Sequence, residues 1–419
     1  MEPQPPPPHG DVARSARVVI GVQSLRAFAY GFGAVILGSA LAEEGFSPAG
    51  AGALFTAMLA GMAAASYLVG RFGSRVDRRT LYVLLLLTMG ASGAVFALTS
   101  WVPLVALAAA TGTLSTDANE SGPITSLEQA ALSDAPPRER PALFGRYNAA
   151  AYLAGSAGAL LAAAPPALRH VVPGLPPDQR WMLAIPVVAV LCAVVASRLP
   201  RSPDRRDQLF VPRLARSRGT VRRLAALFAV DSFAGGLVVS SFVVFWFEKR
   251  YGATPEVMGV VLFVAGLLQA GSSLVAGRLA SRAGLLETMV FTHIPSNVLL
   301  AAVPLMPTLV LAVVVLLART ALSQMDVPAR QAFIAAVVDP HERVPAAAYT
   351  NTARYLGRPA GPTVAGLLTQ RAAFAAPWVA AGAIKIAYDL TVYVTFRARY
   401  GRRAAAAHAS EERAGELST

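Results

Sequence analysis

The sequence has few charged residues and almost no cysteine. Charged side chains make up 15% of the 419 residues, against about 25% in an average soluble domain, and apolar side chains make up 55%. A soluble protein of this composition would expose more hydrophobic surface than water tolerates, so the composition is that of a membrane protein. The lone cysteine, Cys192, excludes an intramolecular disulfide.

The sequence also lacks the short motifs that carry soluble-type chemistry. It contains no Walker sequence, no dinucleotide-binding glycine loop, no HExxH or CxxC metal spacing and no serine-nucleophile elbow. ATP hydrolysis and enzyme activity are therefore unsupported, and we expect neither a cofactor nor a metal site.

Long apolar stretches dominate what is present. A helix that crosses the bilayer needs about 20 mainly apolar residues, and twelve stretches meet this requirement, numbered here as spans 1 to 12. Their limits are Val18 to Leu41, Ala49 to Gly70, Thr80 to Ser100, Val102 to Leu132, Pro141 to Ala164, Arg180 to Leu199, Val221 to Phe247, Pro255 to Gly277, Leu286 to Pro304, Thr308 to Val338, Val344 to Gln370 and Ala376 to Phe396. The sequence predicts an all-α integral membrane protein with twelve transmembrane helices.

The distribution of arginine predicts the orientation. Lys and Arg are retained on the cytoplasmic side, and an N terminus inside leaves few cations on the opposite face. Those few are Arg169, Arg180, Lys249, Arg250 and Arg371. We therefore expect both termini in the cytoplasm and a location in the cytoplasmic (inner) membrane. The net charge of +13 then reflects topology, and no nucleic-acid partner is predicted.

The chain repeats one design twice. GRFGSR at 70–75 matches GRLASR at 277–282 at an offset of 207 residues, and Asn148 matches Asn351 at an offset of 203. The predicted domains are a disordered tail (1–17), a six-helix bundle (18–199), a cytoplasmic linker rich in Arg, Ser and Pro (200–220), a second six-helix bundle (221–398) and a cytoplasmic tail (399–419).

Two parallel six-helix repeats with a basic central linker resemble the major facilitator superfamily over essentially the whole chain. The loop after span 2 carries four residues of its motif, Gly70, Arg75, Arg78 and Arg79, and looks like that of drug exporters, although Asp77 stands where the family has glycine. The resemblance implies two pseudo-symmetric bundles that rock about a site near the bilayer midplane. The predicted conformational gate comprises Gly70, Arg75, Asp77, Arg78, Asp326 and Arg330.

Ionisable residues inside the spans are the candidate site, because each costs at least about 2.5 kcal/mol to insert without a partner. Asp231 lies about 15 Å into span 7 and is either a coupling carboxylate or half of a structural ion pair. Arg26, in the equivalent span 1, is either its partner or a ligand for an anion. Lys385 and Asp389 should neutralise each other, and Glu128 should lie near the membrane surface.

The remaining candidates for substrate binding or proton coupling are Asp117, Glu120, Asn148, Arg319, Asn351, Arg354 and Arg358. The charged residues of spans 4 and 10 are expected to meet a shared aqueous cavity. Asp326 and Arg330 should pair near the cytoplasmic end of span 10.

Three functions stand open. The preferred one is proton-coupled export of a small organic or amphipathic molecule by alternating access. The second is transport of an anionic metabolite, since several arginines lie at mid-depth, and the third is a membrane sensor or enzyme that transports nothing. The expected partners are a small-molecule substrate, protons or another coupling ion, and the lipid bilayer, with the protein a monomer.

Overall fold

The computed structural model describes residues 9–416 except 73–74, 116, 118–121, 133–134, 136–139, 173, 177, 200–213 and 340–341. The described chain is helical. Its α-helices are α1 (His9–Glu43), α2 (Pro48–Phe72), α3 (Arg78–Leu98), α4 (Val102–Ala110), α5 (Pro123–Leu132), α6 (Arg140–Leu161), α7 (Ala164–Val171), α8 (Ala184–Ala196), α9 (Arg218–Gly236), α10 (Ser240–Tyr251), α11 (Pro255–Ala283), α12 (Leu285–Ala302), α13 (Leu309–Ser323), α14 (Asp326–Val337), α15 (Arg343–Gly357), α16 (Ala360–Arg371) and α17 (Ala376–Glu416). Two 3₁₀ helices cover Asp178–Leu183 and Val303–Leu305.

The helices confirm the predicted all-α membrane fold. Within the described part of the chain, ten segments are long and apolar enough to cross a bilayer, and they coincide with predicted spans 1 to 3, 5 to 10 and 12. Spans 4 and 11 each consist of two shorter helices in sequence, α4 with α5 and α15 with α16. The limits of the predicted domains stay predictions, since most of the linker lies outside the described residues.

The helices assemble into two halves, α1 to α8 and α9 to α17. In the first half α1 packs on α6 and α3 on α8, and in the second half α12 packs on α17 and α9 on α15. An even number of crossings brings both ends of the chain to one side of the bundle. We call that side the terminal side and the opposite one the distal side.

The buried core shows where the halves meet. On the distal side one continuous apolar cluster takes residues from both halves, among them Phe55 and Phe242, whose rings pack edge to face at 6.4 Å. On the terminal side each half has a separate cluster, one around Tyr82 and Tyr147 and one around Phe228 and Phe333. The halves are therefore sealed together distally and have independent cores on the terminal side.

Small residues let the halves approach closely on the distal side. α2 packs on α16, α6 on α11 and α1 on α10. A Cβ added at Gly52 would lie 2.2 Å from the Pro362 carbonyl oxygen, and one at Gly366 would lie 2.2 Å from the Pro48 carbonyl oxygen. The Thr363 hydroxyl also donates to the Thr56 hydroxyl at 2.8 Å. The glycines bring backbones of the two halves into contact.

Candidate substrate-binding site

Four of the spans are interrupted partway through the bundle. The breaks lie between α4 and α5 in span 4, between α9 and α10 in span 7, between α13 and α14 in span 10 and between α15 and α16 in span 11. A broken membrane helix leaves backbone groups that are tolerated only where protein or a water-filled cavity covers them, and such breaks line the substrate sites of transporters. The breaks therefore mark the candidate site.

Asp117, in the break of span 4, bonds to two residues of the other half. The Ser240 hydroxyl donates to Asp117 Oδ1 at 2.7 Å, and the Arg358 guanidinium donates to Asp117 Oδ2. Close contact between Gly236 and Gly361 holds the breaks of spans 7 and 11 side by side, which places both partners at the same carboxylate. The structure thus joins two predicted site residues, Asp117 and Arg358, across the halves.

Arg319 and Arg354 have no ion-pair partner among the residues that the structure describes. The Nε atom of each is buried without a hydrogen bond there, although both guanidinium groups lie within electrostatic range of Asp231 and Asp326. The charged neighbours of Arg354 are Arg330, Asp231 and Asp326, all in the second half. Both are predicted site residues, and neither forms an ion pair with a described residue.

Arg26 belongs to a sealed cluster inside the first half. Its guanidinium donates to Glu128 Oε2 at 2.7 Å, and the Tyr82 and Tyr147 hydroxyls donate to the same carboxylate at 2.7 and 2.6 Å. Gln23 accepts a further bond from Arg26, and all five side chains are buried. The predicted pair between Arg26 and Asp231 is wrong. Glu128 is buried among helices of the first half, and its depth in the membrane stays a prediction.

Asp231 finds its partners inside the second half. Lys385 Nζ lies 2.6 Å from Asp231 Oδ1, and Arg330 Nη1 lies 3.5 Å from Asp231 Oδ2. Arg330 also pairs with Asp326 at 3.3 Å, as predicted.

Because Lys385 faces span 7, its predicted pairing with Asp389 is wrong. Asp389 instead contacts His293 Nδ1 at 2.9 Å and accepts a hydrogen bond from Asn297 Nδ2 at 3.2 Å. Sequence reasoning did not identify Lys385 as the partner of Asp231 or Glu128 as the partner of Arg26. The available signal was that each is a charged residue within an apolar span.

The other predicted site residues are less informative. Asn148 is partly exposed and Asn351 is exposed, while Glu120 lies outside the described residues. In the predicted gate, Asp77 accepts a hydrogen bond from the Thr80 N–H at 3.1 Å and so caps α3.

The arginines and glycine of that loop are placed as follows. Gly70 lies in α2, the Arg75 guanidinium lies 5.1 Å from the centre of the Phe72 ring, and Arg78 begins α3. A gating role for these residues stays a prediction.

The arrangement as a whole favours an acidic ligand. The described carboxylates at the centre of the spans each have a cationic or hydrogen-bonding partner, whereas two guanidinium groups beside the helix breaks do not. Guanidinium groups bind carboxylates and phosphates through paired, charge-assisted hydrogen bonds.

Comparison with known proteins identifies the family. Residues 19–362 match the model of the Major Facilitator Superfamily, and the chain belongs to it. A stretch of 175 residues is 23% identical to the uncharacterized membrane protein YJR124C of Saccharomyces cerevisiae, spanning 42% of this chain and 39% of the yeast protein.

Solved structures share the fold. The nucleoside transporter NupG superposes with a TM-score of 0.69 at 13% identity, covering 91% of this chain and 99% of that one. A D-xylose-proton symporter superposes with a TM-score of 0.68 at 15% identity, covering 90% and 97%. The chain is a multi-pass integral membrane protein with the fold of secondary transporters.

Proposed function

We propose that the protein is a secondary transporter that moves a small organic anion by alternating access. The observation that carries the proposal is the pair of unpaired guanidinium groups, Arg319 and Arg354, beside the helix breaks. A charge inside the membrane is costly unless something pairs with it, and the Nε atom of each of these half-buried arginines has no hydrogen-bond partner among the described residues. An acidic cargo would supply the missing partner.

Alternating access is supported by the division of the core. The distal side is closed by a cluster common to both halves, and the terminal side has a separate cluster in each half. This arrangement fits a transporter whose halves part on the terminal side. We propose that the terminal side faces the cytoplasm, because the loop arginines concentrate there.

An anionic cargo has more support than a cationic one. Capture of an organic cation needs a free carboxylate, yet among the described residues Glu128 is bonded to Arg26, Asp231 to Lys385 and Asp117 to Arg358. Export driven by protons, with Asp231 as the coupling group, stays a prediction.

Uptake into proteoliposomes tests the proposal. Purified protein would be assayed with radiolabelled benzoate, succinate and glucose 6-phosphate as anions, tetraphenylphosphonium as a cation and xylose as a neutral compound. We expect uptake of at least one anion, and a loss of about tenfold to a hundredfold in kcat/KM in Arg319→Gln and Arg354→Gln, the size of one or two charge-assisted hydrogen bonds.

Two controls separate site effects from general ones. Arg371→Gln removes an exposed arginine at the distal end of α16 and should leave uptake unchanged. Arg354→Lys keeps the charge and should retain part of the activity. Uptake of tetraphenylphosphonium or xylose that neither glutamine variant reduces would contradict the proposal, and a protonophore added to the same assay reports on proton coupling.

A further inference from the structure

We propose that Asp117 is an internal substitute for the acidic group of the cargo. Before the cargo binds, the Asp117 carboxylate accepts hydrogen bonds from Arg358 and Ser240. The acidic group of the arriving cargo then accepts these bonds instead of Asp117. The displacement breaks a bond between the two halves and so links binding to their movement. The identity of the displacing group rests on the proposed function, whereas the bond between the halves does not.

The position of the pair carries the first step of the argument. Asp117 belongs to the first half, and its partners Ser240 and Arg358 belong to the second. The ion pairs that seal each half, such as Arg26 with Glu128, connect helices of the same half. Opening the distal side requires the contacts between halves to part, so the Asp117 bonds oppose that opening.

Accessibility carries the second step. The side chains of Arg358 and Asp117 retain 17% and 25% of their exposure, whereas those of Arg26 and Glu128 retain 0%. The Arg358 guanidinium is therefore accessible from outside the protein, while the pair between Arg26 and Glu128 is not.

The chemistry of the exchange carries the third step. Ser240 and Arg358 both donate hydrogen bonds, so a carboxylate or phosphate oxygen of the cargo can accept both bonds in place of Asp117. A neutral cargo cannot replace the charge that Asp117 gives to Arg358. A ligand shifts a conformational equilibrium only by its differential affinity for the two states, and removing this bond between halves supplies such a difference.

The test requires no substrate. Spin labels at Glu44→Cys and Ala373→Cys, exposed positions on distal loops of the two halves, would report the distal separation by pulsed electron paramagnetic resonance in a Cys192→Ala background. If Asp117 holds the halves together, Asp117→Asn should raise the ratio of distal-open to distal-closed protein about tenfold. Asp117→Glu, which keeps the charge, should shift this ratio far less.

Two further variants serve as an alternative to Asp117→Asn and as a rescue control. Ser240→Ala removes one donor with little change in shape, and should shift the ratio in the same direction if Asp117→Asn does not fold. Exchanging the charges, Asp117→Arg with Arg358→Asp, should restore the wild-type distances. Unchanged distances in Asp117→Asn or in Ser240→Ala would overturn the proposal, whatever the liposome assay shows about anions.

Discussion

The carboxylate of Glu342, the residue before α15, accepts hydrogen bonds from the backbone just before span 7. Three successive backbone N–H groups donate to it, those of Ala215 at 2.6 Å, Arg216 at 2.9 Å and Ser217 at 2.7 Å. These bonds favour the charged form, so the pKa of Glu342 falls from its ordinary 4.5 to about 2, with the Ala215 N–H as the largest cause. Its side chain ties the end of the linker segment to the loop before span 11.

The lowered pKa of Glu342 predicts a pH dependence of stability. A carboxyl group whose pKa is lower in the folded state stabilises fully above its unfolded pKa, and the stabilisation is lost as pH falls from about 4.5 toward about 2. Glu342→Gln should therefore melt at a lower temperature than wild type at pH 7, because one amide hydrogen faces a backbone donor.

Thermal unfolding in detergent at several pH values would measure this difference. The difference between the melting temperatures of wild type and Glu342→Gln should shrink as pH falls below about 4.5 and disappear only toward pH 2. A difference that stays constant between pH 7 and pH 3 would show that the carboxylate charge is not the cause.

Arg26 and Glu128 allow a second prediction about single residues. Both are fully buried, and removing one charge of such a pair leaves the other uncompensated, at a cost of about 3 to 5 kcal/mol. Glu128→Gln should therefore destabilise the protein strongly, whereas Arg26→Met with Glu128→Gln should recover much of the loss. Tyr147→Phe removes a single donor and should cost about 1.5 to 3 kcal/mol. A double variant no more stable than Glu128→Gln would refute the argument.

The sequence predicts which residues carry buried charge but not which of them meet. Depth along a span identified Asp231, Arg26 and Arg358 as embedded charges, because hydropathy and distance from a span end are local properties. Pairing depends on which helices pack and how each is rotated about its axis. Pseudosymmetry suggested Arg26 for Asp231, yet each found a partner within its own half.

At the scale of helices, hydropathy predicts the spans well and their interruptions poorly. An apolar run identifies a crossing whether or not its backbone is continuous, so span 7 read as one helix from Val221 to Phe247. The structure interrupts it between Gly236 and Ser240. At this break the Ser240 hydroxyl bonds to Asp117 of span 4, and sequence reasoning along one span cannot supply such a contact.

The contact between α2 and α16 predicts the effect of adding one methyl group. A Cβ at Gly52 would lie 2.2 Å from the Pro362 carbonyl oxygen, so the helices must separate. Gly52→Ala should raise the distal-open population measured with labels at residues 44 and 373. Gly271→Ala is the matched control, since a Cβ at Gly271 meets nothing within 4 Å. Equal populations in the two variants would show that this contact does not hold the distal side closed.

At the scale of the whole molecule, the duplicated sequence predicts two comparable halves, and the fold confirms this. The duplication cannot predict whether the halves touch on the distal side or on the terminal side, because either arrangement uses the same helices. The apolar cluster shared by both halves shows that they touch on the distal side. Measuring which side of the protein is accessible from each side of the membrane would therefore test orientation and resting state together.

That measurement is sided labelling of single cysteines in a Cys192→Ala background. Asn351 is exposed on the terminal-side half of span 11, whereas Thr363 lies against Thr56 in the distal contact. If the terminal side is cytoplasmic and open, a membrane-impermeant maleimide should label Asn351→Cys in inverted vesicles but not in intact cells. Thr363→Cys should resist labelling in both, because the distal contact covers it. Labelling of Asn351→Cys only in intact cells would place the terminal side outside, and labelling of Thr363→Cys in intact cells would show a resting state that is open distally.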